Sequence, residues 1–378
     1  MGFRLLNVTP ASGGENPPGL YAVCSAHAHV LSAAMATAAA EGRSLLIEAS
    51  ANQVNQDGGY TGMTPAMFAE QVRRLAKKEG YPIDRILIGA DHLGPHVWKQ
   101  DPPGQALEKA AELARQCVAA GFGKIHLDTT TGGFRDPATA ADRAAQLCRT
   151  AENAASALAG KPPELRYVIG AEVPPPGGAL DDPDTLAVTD PQEVEQTLEL
   201  TAAAFRRAGI ETAWERVVAV VVQPGVEFGD HRIAVYRPEK ARELASFQTA
   251  LPGGMTFEIH STDYQPPRAL RQMVRDGFGL LKVGPCLTFA FRAAVFALAG
   301  LESELLAHRR GARRSNIRQC LEAVMLEEPR HWRHHYHGSP ESQALLRAYS
   351  YRDRIRYYWN HPEVAKSLRQ LLENLSRP

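Results

Sequence analysis

Several polar residues stand in this chain where apolar ones would serve folding better. They are Glu48 with Asn52-Gln53-Val54-Asn55-Gln56, Asp91-His92, His126-Leu127-Asp128, Glu172, Gln223-Pro224-Gly225, Glu258-Ile259-His260 and Lys282. Imidazoles and carboxylates together are donors for Zn²⁺, and also for Mn²⁺ or Co²⁺, when one coordination position stays open. His92, Glu172 and His260 are the metal-ligand candidates, each from a separate segment and without a short HExxH-type motif. Ser261-Thr262-Asp263 and Gly284-Pro285-Cys286 offer hydroxyls, backbone N–H groups and a helix start, which a phosphate monoester needs. Asp263 has the wrong sign for phosphate and suits a sugar hydroxyl, and Asn52 offers a substrate amide contact. Ordinary helix capping by Ser261-Thr262 is the bland alternative.

Something must bring these residues together. Short apolar runs alternate eight times with longer amphipathic stretches: Leu20–Cys24, Leu45–Ala49, Ile86–Ala90, Lys124–Asp128, Arg166–Glu172, Val217–Gln223, Met255–His260 and Leu280–Val283. Runs this short and rich in Val, Ile and Leu fit strands buried on both faces of a parallel sheet. Helices are predicted between them, with Pro65, Pro191 and Pro238 in first-turn positions. Eight strands alternating with eight helices predict an α/β fold, a closed TIM (β/α)8 barrel. An open doubly wound sheet is the alternative, and no GxGxxG follows the first strand to support it. In a barrel the reacting groups sit at the C-terminal strand ends, where the polar residues fall. Period-two alternation puts His126 with Asp128, and Glu258 with His260, on shared faces. Burying these charges costs several kcal/mol each unless they pair with one another or hold a cation or anion.

The barrel is predicted over residues 1–305 and a helical C-terminal extension over 306–378, packed on the barrel or on a second subunit. A homo-oligomer is therefore expected. Helices are expected over 315–327, 339–351 and 362–375. His331-Trp332-Arg333-His334-His335-Tyr336-His337 reads as a solvated or interface loop with stacked aromatics, because no carboxylate or cysteine stands beside it at ligand spacing.

Lys+Arg and Asp+Glu each number 42, a balance that argues against nucleic-acid or anionic-membrane partners. Five scattered cysteines without a CxxC pair read as reduced thiols of a cytoplasmic protein. The start lacks the apolar region of a signal peptide, and no run of eighteen apolar residues suggests a membrane span.

Longer motifs carry a resemblance. Asn52-Gln53-Val54-Asn55-Gln56, Gly58-Gly59-Tyr60-Thr61-Gly62-Met63 and Gly89-Ala90-Asp91-His92-Leu93-Gly94-Pro95 resemble the Z-type subunit family of D-tagatose-1,6-bisphosphate aldolase. So do Lys124-Ile125-His126-Leu127-Asp128, Glu172-Val173-Pro174, Val221-Val222-Gln223-Pro224-Gly225-Val226-Glu227-Phe228, His260-Ser261-Thr262-Asp263-Tyr264, Leu281-Lys282-Val283-Gly284-Pro285 and Asp353-Arg354-Ile355-Arg356-Tyr357-Tyr358-Trp359. The resemblance covers nearly the whole chain. It implies a relative of the zinc-dependent class II aldolases, with Asp91 as acid/base and His92 and His260 on the metal. Gln223 stands where an aldolase offers a further metal histidine. Either Gln223 coordinates through its oxygen, or Glu172 completes the shell, or metal binding is weaker. Thr129-Thr130-Thr131-Gly132-Gly133 departs from the Ala-Ser-Met-Ser usual in the family.

Within that resemblance the expected activity is 4-epimerisation between D-tagatose 6-phosphate and D-fructose 6-phosphate, by cleaving and re-forming C3–C4. Asp91 would take the C4 hydroxyl proton, with Glu172 or Asp128 as alternative bases. Ser261, Thr262 and Gly284 would hold the phosphate, and Lys282 would pair with Glu258 or touch substrate oxygen. The main rival is a non-catalytic subunit stabilising a separate aldolase, or a catalytic component of it. A glycosidase using Glu172 and Glu258 would want an aromatic-lined cleft, which a 7% aromatic content disfavours. A kinase would need a GxxxxGK[ST] loop, and there is none.

Overall fold

The computed structural model describes residues 19–129, 136–171, 186–309 and 311–376. Glu172, Thr130-Thr131-Gly132-Gly133 and the signal-peptide reading of the first residues lie outside them.

Eight parallel strands close into a barrel: β1 (Leu20–Cys24), β2 (Leu45–Ser50), β3 (Ile86–Leu93), β4 (Lys124–Leu127), β5 (Arg166–Ile169), β6 (Val217–Val222), β7 (Thr256–Ile259) and β8 (Leu280–Val283). Closure is made by β1, which pairs with β8 through Leu20 opposite Leu280 and with β2 through Ala22 opposite Leu46. The expected barrel is therefore the observed one. Its first helices are α1 (Ala28–Ala40), α2 (Pro65–Lys78), α3 (Pro103–Ala120), α4 (Pro137–Ser156) and α5 (Pro191–Arg207). After them come the one-turn α6 (Glu211–Trp214), α7 (Arg242–Phe247) and α8 (Pro267–Arg275). Thr64 and Asp190 cap α2 and α5 by accepting from Met67 and Gln192 N–H groups, with proline in the first turn as expected. Pro238 does not start a helix; the chain first makes a turn on the Arg237 carbonyl, and α7 begins at Arg242.

Inward-facing residues stack in layers, as alternation along each strand requires. Ala22, Leu46, Leu87, Val168, Ala219, Val221 and Leu280 form one buried apolar cluster. Two residues beyond Leu46 and Leu280 stand Glu48 and Lys282, and these are buried together with Lys124 and Glu258 of β4 and β7. Glu48 lies opposite Gly89 in register, and Gly89 lies opposite Lys124. A Cβ at Gly89 would stand 2.8 Å from Glu48 Oε1, so the missing side chain leaves room for that carboxylate.

The described chain divides into two compact units: Met1–Glu227 with Ile233–Val283, and Phe228–Arg232 with Gly284–Pro378. This division differs by one helix from the boundary expected at 305, because α9 (Pro285–Leu305) groups with α10 (Ile317–Glu327), α11 (Pro340–Tyr349) and α12 (Pro362–Ser376). The second unit buries Val295, Ile317, Leu321, Val364 and Leu371 with Trp332, Tyr336, Tyr358 and Trp359. The His- and Trp-rich segment thus contributes core residues. Trp332 Nε1 donates to Met325 O at 2.5 Å, and His331 stacks on Tyr357 at 4.6 Å. His334 and His337 are exposed.

Among the described residues α9 is the one helix long and apolar enough to cross a membrane, with a mean hydropathy of 1.4. That corrects the expectation that no segment reaches this length. Two of its polar residues are engaged within the unit. Arg292 pairs with Asp353 at 3.6 Å, and Glu302 accepts from Ser315 N–H and hydroxyl.

Candidate active site

The C-terminal ends of β3, β4 and β7 bring three imidazoles together. Ring centroids of His92, His126 and His260 lie 5.1 Å (92–126), 4.9 Å (92–260) and 5.3 Å (126–260) apart. Adjacent strand residues normally face opposite sides, yet both Asp91 and His92 reach this cluster. The reason is a register shift between Ala90 and Leu93, with His92 at φ 47°. Ser261, after β7, also has positive φ, 54°. Non-glycine residues in the left-handed region cost about 1–3 kcal/mol and concentrate at functional sites.

Each imidazole has one nitrogen set by an acceptor. His92 Nδ1 lies 2.8 Å from Asp128 Oδ2, His126 Nε2 lies 3.1 Å from Gly170 O, and His260 Nε2 lies 3.0 Å from Glu258 Oε1. Such partners fix ring orientation and tautomer. Asp91 approaches two of the rings, at 3.6 Å from His92 Nε2 and 3.1 Å from His126 Nδ1. Donor atoms from Asp91, His126, Glu258 and His260 all lie within 4.8 Å of one another.

Beneath the imidazoles, Lys124 bridges Glu48 and Glu258, the latter at 2.7 Å, and none of the three is exposed. Lys282 donates to Asp91, and its Nζ lies 3.4 Å from Glu258 Oε1 and 3.6 Å from Glu48 Oε2. Burial alone would drive the Lys124 ammonium toward neutrality, but Glu258 and Glu48 outweigh it and raise its proton affinity. Burial likewise opposes ionisation of Glu258, and Lys124 with His260 overrides it. For Lys282 burial wins, lowering its proton affinity against the pull of Glu48. Burial, reinforced by His92, lowers His126 to about 4, so its ring is neutral near pH 7.

The residues chosen from sequence separate into those that converge and those that build loops. Asp91, His92, Asp128, His260 and Lys282 converge. Gln223 does not offer its oxygen to this group: Oε1 accepts from Gly225 and Val226 N–H groups at 2.9 and 2.8 Å. Asn52 is exposed, and its backbone carbonyl accepts from Tyr60 N–H. Its neighbours Gln53 and Asn55 shape the β2 loop, with Asn55 Oδ1 accepting from Asp57 and Gly59. Thr262 spends its hydroxyl proton on Lys282 O at 2.7 Å, joining the ends of β7 and β8. Asp263 is buried, and Ser261 is half-buried. Gly284 is the residue before α9 and begins the second unit. The sequence placed His126 at the mouth without a role, and it put Lys124 at the start of a strand without one. A lysine opening an apolar strand run was the available signal for the second.

The fold and site define a (β/α)8 barrel whose strand ends gather imidazoles, carboxylates and a lysine. The particular family follows from comparison: residues 5–378 match the model of the "D-tagatose-1,6-bisphosphate aldolase subunit GatZ/KbaZ-like" family, and the chain belongs to it. It is 45% identical over 375 residues to D-tagatose-1,6-bisphosphate aldolase subunit GatZ of Klebsiella pneumoniae subsp. pneumoniae, covering 98% of this chain and 86% of that one. It is also similar to the solved structure of a probable tagatose 6 phosphate kinase from Sinorhizobium meliloti 1021. That match has 43% identity and a TM-score of 0.85, over 95% of this chain and 88% of the other.

Proposed function

We propose that this chain is a Z-type subunit of a tagatose-bisphosphate aldolase system whose own barrel carries aldol-type chemistry at C3–C4 of a phosphorylated ketohexose. The name of its Klebsiella relative supports the subunit role. One observation supports chemistry in the barrel itself: Asp91 sits where His92, His126 and Lys282 meet, buried to 4% exposure. A vestigial site in a pure scaffold would have no need to keep so many buried charges, each costly to desolvate.

The donor set fits a divalent ion, because donor atoms of Asp91, His126, Glu258 and His260 crowd within 4.8 Å and the His92 ring lies 4.9 Å from that of His260. His92 and His260, with a carboxylate from Asp91 or Glu258, would hold Zn²⁺, Mn²⁺ or Co²⁺, which supplies Lewis-acid polarisation of substrate oxygens when bound. Glu172 stays a candidate ligand or base from sequence alone. Asp91 takes the C4 hydroxyl proton as C3–C4 opens and returns it as the bond re-forms. Asp128 orients His92 through Nδ1, so its role is positioning rather than proton transfer. Lys282, whose proton is less tightly held than that of Lys124, donates toward a substrate oxygen. Lys124 stays charged and bridges Glu48 and Glu258, offsetting their mutual repulsion. Ser261 and the backbone around it are candidates for the phosphate.

Working without a partner, the same bond cleavage followed by re-closure on the opposite aldehyde face gives 4-epimerisation of D-tagatose 6-phosphate and D-fructose 6-phosphate. The convergence of Asp91, His92, His126, His260 and Lys282 within one chain favours this second reading. The purified chain is incubated with D-fructose 6-phosphate and separately with D-tagatose 1,6-bisphosphate, each with and without chelator. Chelator-sensitive D-tagatose 6-phosphate indicates the epimerase, and triose phosphates indicate an aldolase. If neither forms, and the chain only stabilises a partner aldolase, the catalytic proposal is lost.

A further inference from the structure

His126 of β4 stands fully buried in the imidazole cluster, and the backbone engages both of its ring nitrogens. Nε2 lies 3.1 Å from the Gly170 carbonyl, which can only accept, so Nε2 carries the proton. Nδ1 lies 3.2 Å from the backbone N–H of His92, which can only donate, so Nδ1 carries the lone pair. The ring is therefore neutral, and its single lone pair is spent inside the protein. Asp91 Oδ1 stands 3.1 Å from the same Nδ1 and takes the Lys282 ammonium, which offsets the repulsion between the two acceptors.

The donor of that hydrogen bond is the unusual residue of β3. His92 has φ 47° and lies within the register shift between Ala90 and Leu93. In an unbroken strand Asp91 and His92 would face opposite sides. The left-handed turn at His92 lets both reach the barrel mouth. Such a turn in a non-glycine residue persists only where its surroundings over-determine it. From β4 and the residue after it come three holds. His126 Nδ1 accepts the His92 N–H, the Asp128 N–H donates to Leu93 O at 3.1 Å, and Asp128 Oδ2 lies 2.8 Å from His92 Nδ1. The first acts on the backbone of the turning residue itself. We propose that His126 is a positioning residue: braced by Gly170 O, it accepts the His92 N–H and holds the turn that aims the Asp91 carboxylate and the His92 ring into one site.

This inference rests on the roles given above to Asp91 and His92, and its first test needs no turnover. Two substitutions separate the ring nitrogens: the oxygen of His126→Asn can stand where Nδ1 stands, whereas the amide of His126→Gln reaches only toward the Nε2 end. His126→Leu removes both. Ring-nitrogen NMR of the full wild-type chain at neutral pH should show His126 protonated on Nε2 and bare on Nδ1. Hydrogen exchange of the His92 amide, measured relative to the amides of β6, should stay slow in wild type and His126→Asn. It should quicken by about 10-fold in His126→Gln and His126→Leu, the size of one net hydrogen bond. On the ketohexose phosphate, kcat should fall by about 10²-fold in His126→Gln and His126→Leu, as for a misplaced reacting group, with KM little changed and a smaller loss in His126→Asn. Should the substituted chains fail to fold, the wild-type ring spectrum decides. A protonated Nδ1, or wild-type protection of His92 in a folded His126→Gln or His126→Leu, overturns the assignment. A wild type inert on both sugar phosphates removes the catalytic reading alone, and the exchange pattern still decides whether His126 holds the turn.

Discussion

Both units bury cations, and they neutralise them differently. In the helical unit Arg292 is 2% exposed and lies over Phe289 at 4.0 Å, with Phe296 and Tyr349 each at 5.3 Å. Its carboxylate, Asp353, accepts from Thr288 at 2.6 Å and is raised by burial to about 6. A guanidinium on aromatic faces keeps its charge at modest cost. In the barrel the ammonium groups of Lys124 and Lys282 face carboxylates directly: Glu48 and Glu258 for the first, Asp91, Glu258 and Glu48 for the second. The first arrangement holds a fold together. The second concentrates charge where a reaction can use it.

Variants can break this contrast, beginning with the largest effect. Asp91→Asn keeps the shape and removes the proton acceptor, so activity on the ketohexose phosphate should fall by about 10²–10⁴-fold, a loss far larger than the lowered thermal midpoint expected from removing the Lys282 partner explains. A drop in stability with little loss of rate would instead make Asp91 structural. Lys124→Met strands Glu48 and Glu258 in the barrel interior and should cost about 3–5 kcal/mol in urea unfolding. Arg292→Met should cost less, about 1–3 kcal/mol, because Asp353 can take up a proton once its partner is gone. Equal losses from the two substitutions would erase the distinction drawn here.

The smallest effect at neutral pH belongs to His27, lowered to about 3 by burial and then by His29. Its neutral form is favoured on folding, so the associated stability is complete above about pH 6.5. It is lost as pH falls from there toward 3, because the unfolded state protonates first. His27→Asn should flatten that acid limb in pH-dependent unfolding and leave stability near pH 7 almost unchanged. A steeper limb in the variant would reverse the sign of this argument.

Much of the barrel was legible from local pattern. Short runs such as Val217–Val222 and Leu45–Ser50 are apolar because both faces are covered, and proline at 65 and 191 marked helix starts correctly. The convergence of Asp91, His92 and His260 was legible because a barrel gathers its strand ends. Less visible was the extension of β3 through His92, since a bulge with φ 47° leaves no mark in hydrophobic period. The role of Gln223 was also hidden, because whether an amide oxygen faces a cation or a backbone N–H depends on the turn that follows. Lys124 looked like the polar edge of a strand, and only closure of the barrel carried it to the interior.

Alternation, length and turn residues are local properties, and they determined the cylinder and which strand ends bear polar groups. Partner choice is not local. That Lys124 lies between Glu48 and Glu258, and that His126 meets Asp91 while Gln223 caps a loop, was decided only when the strands closed in register. Electrostatic pairing acts over a few ångströms, and such distances exist between remote segments only in the folded chain.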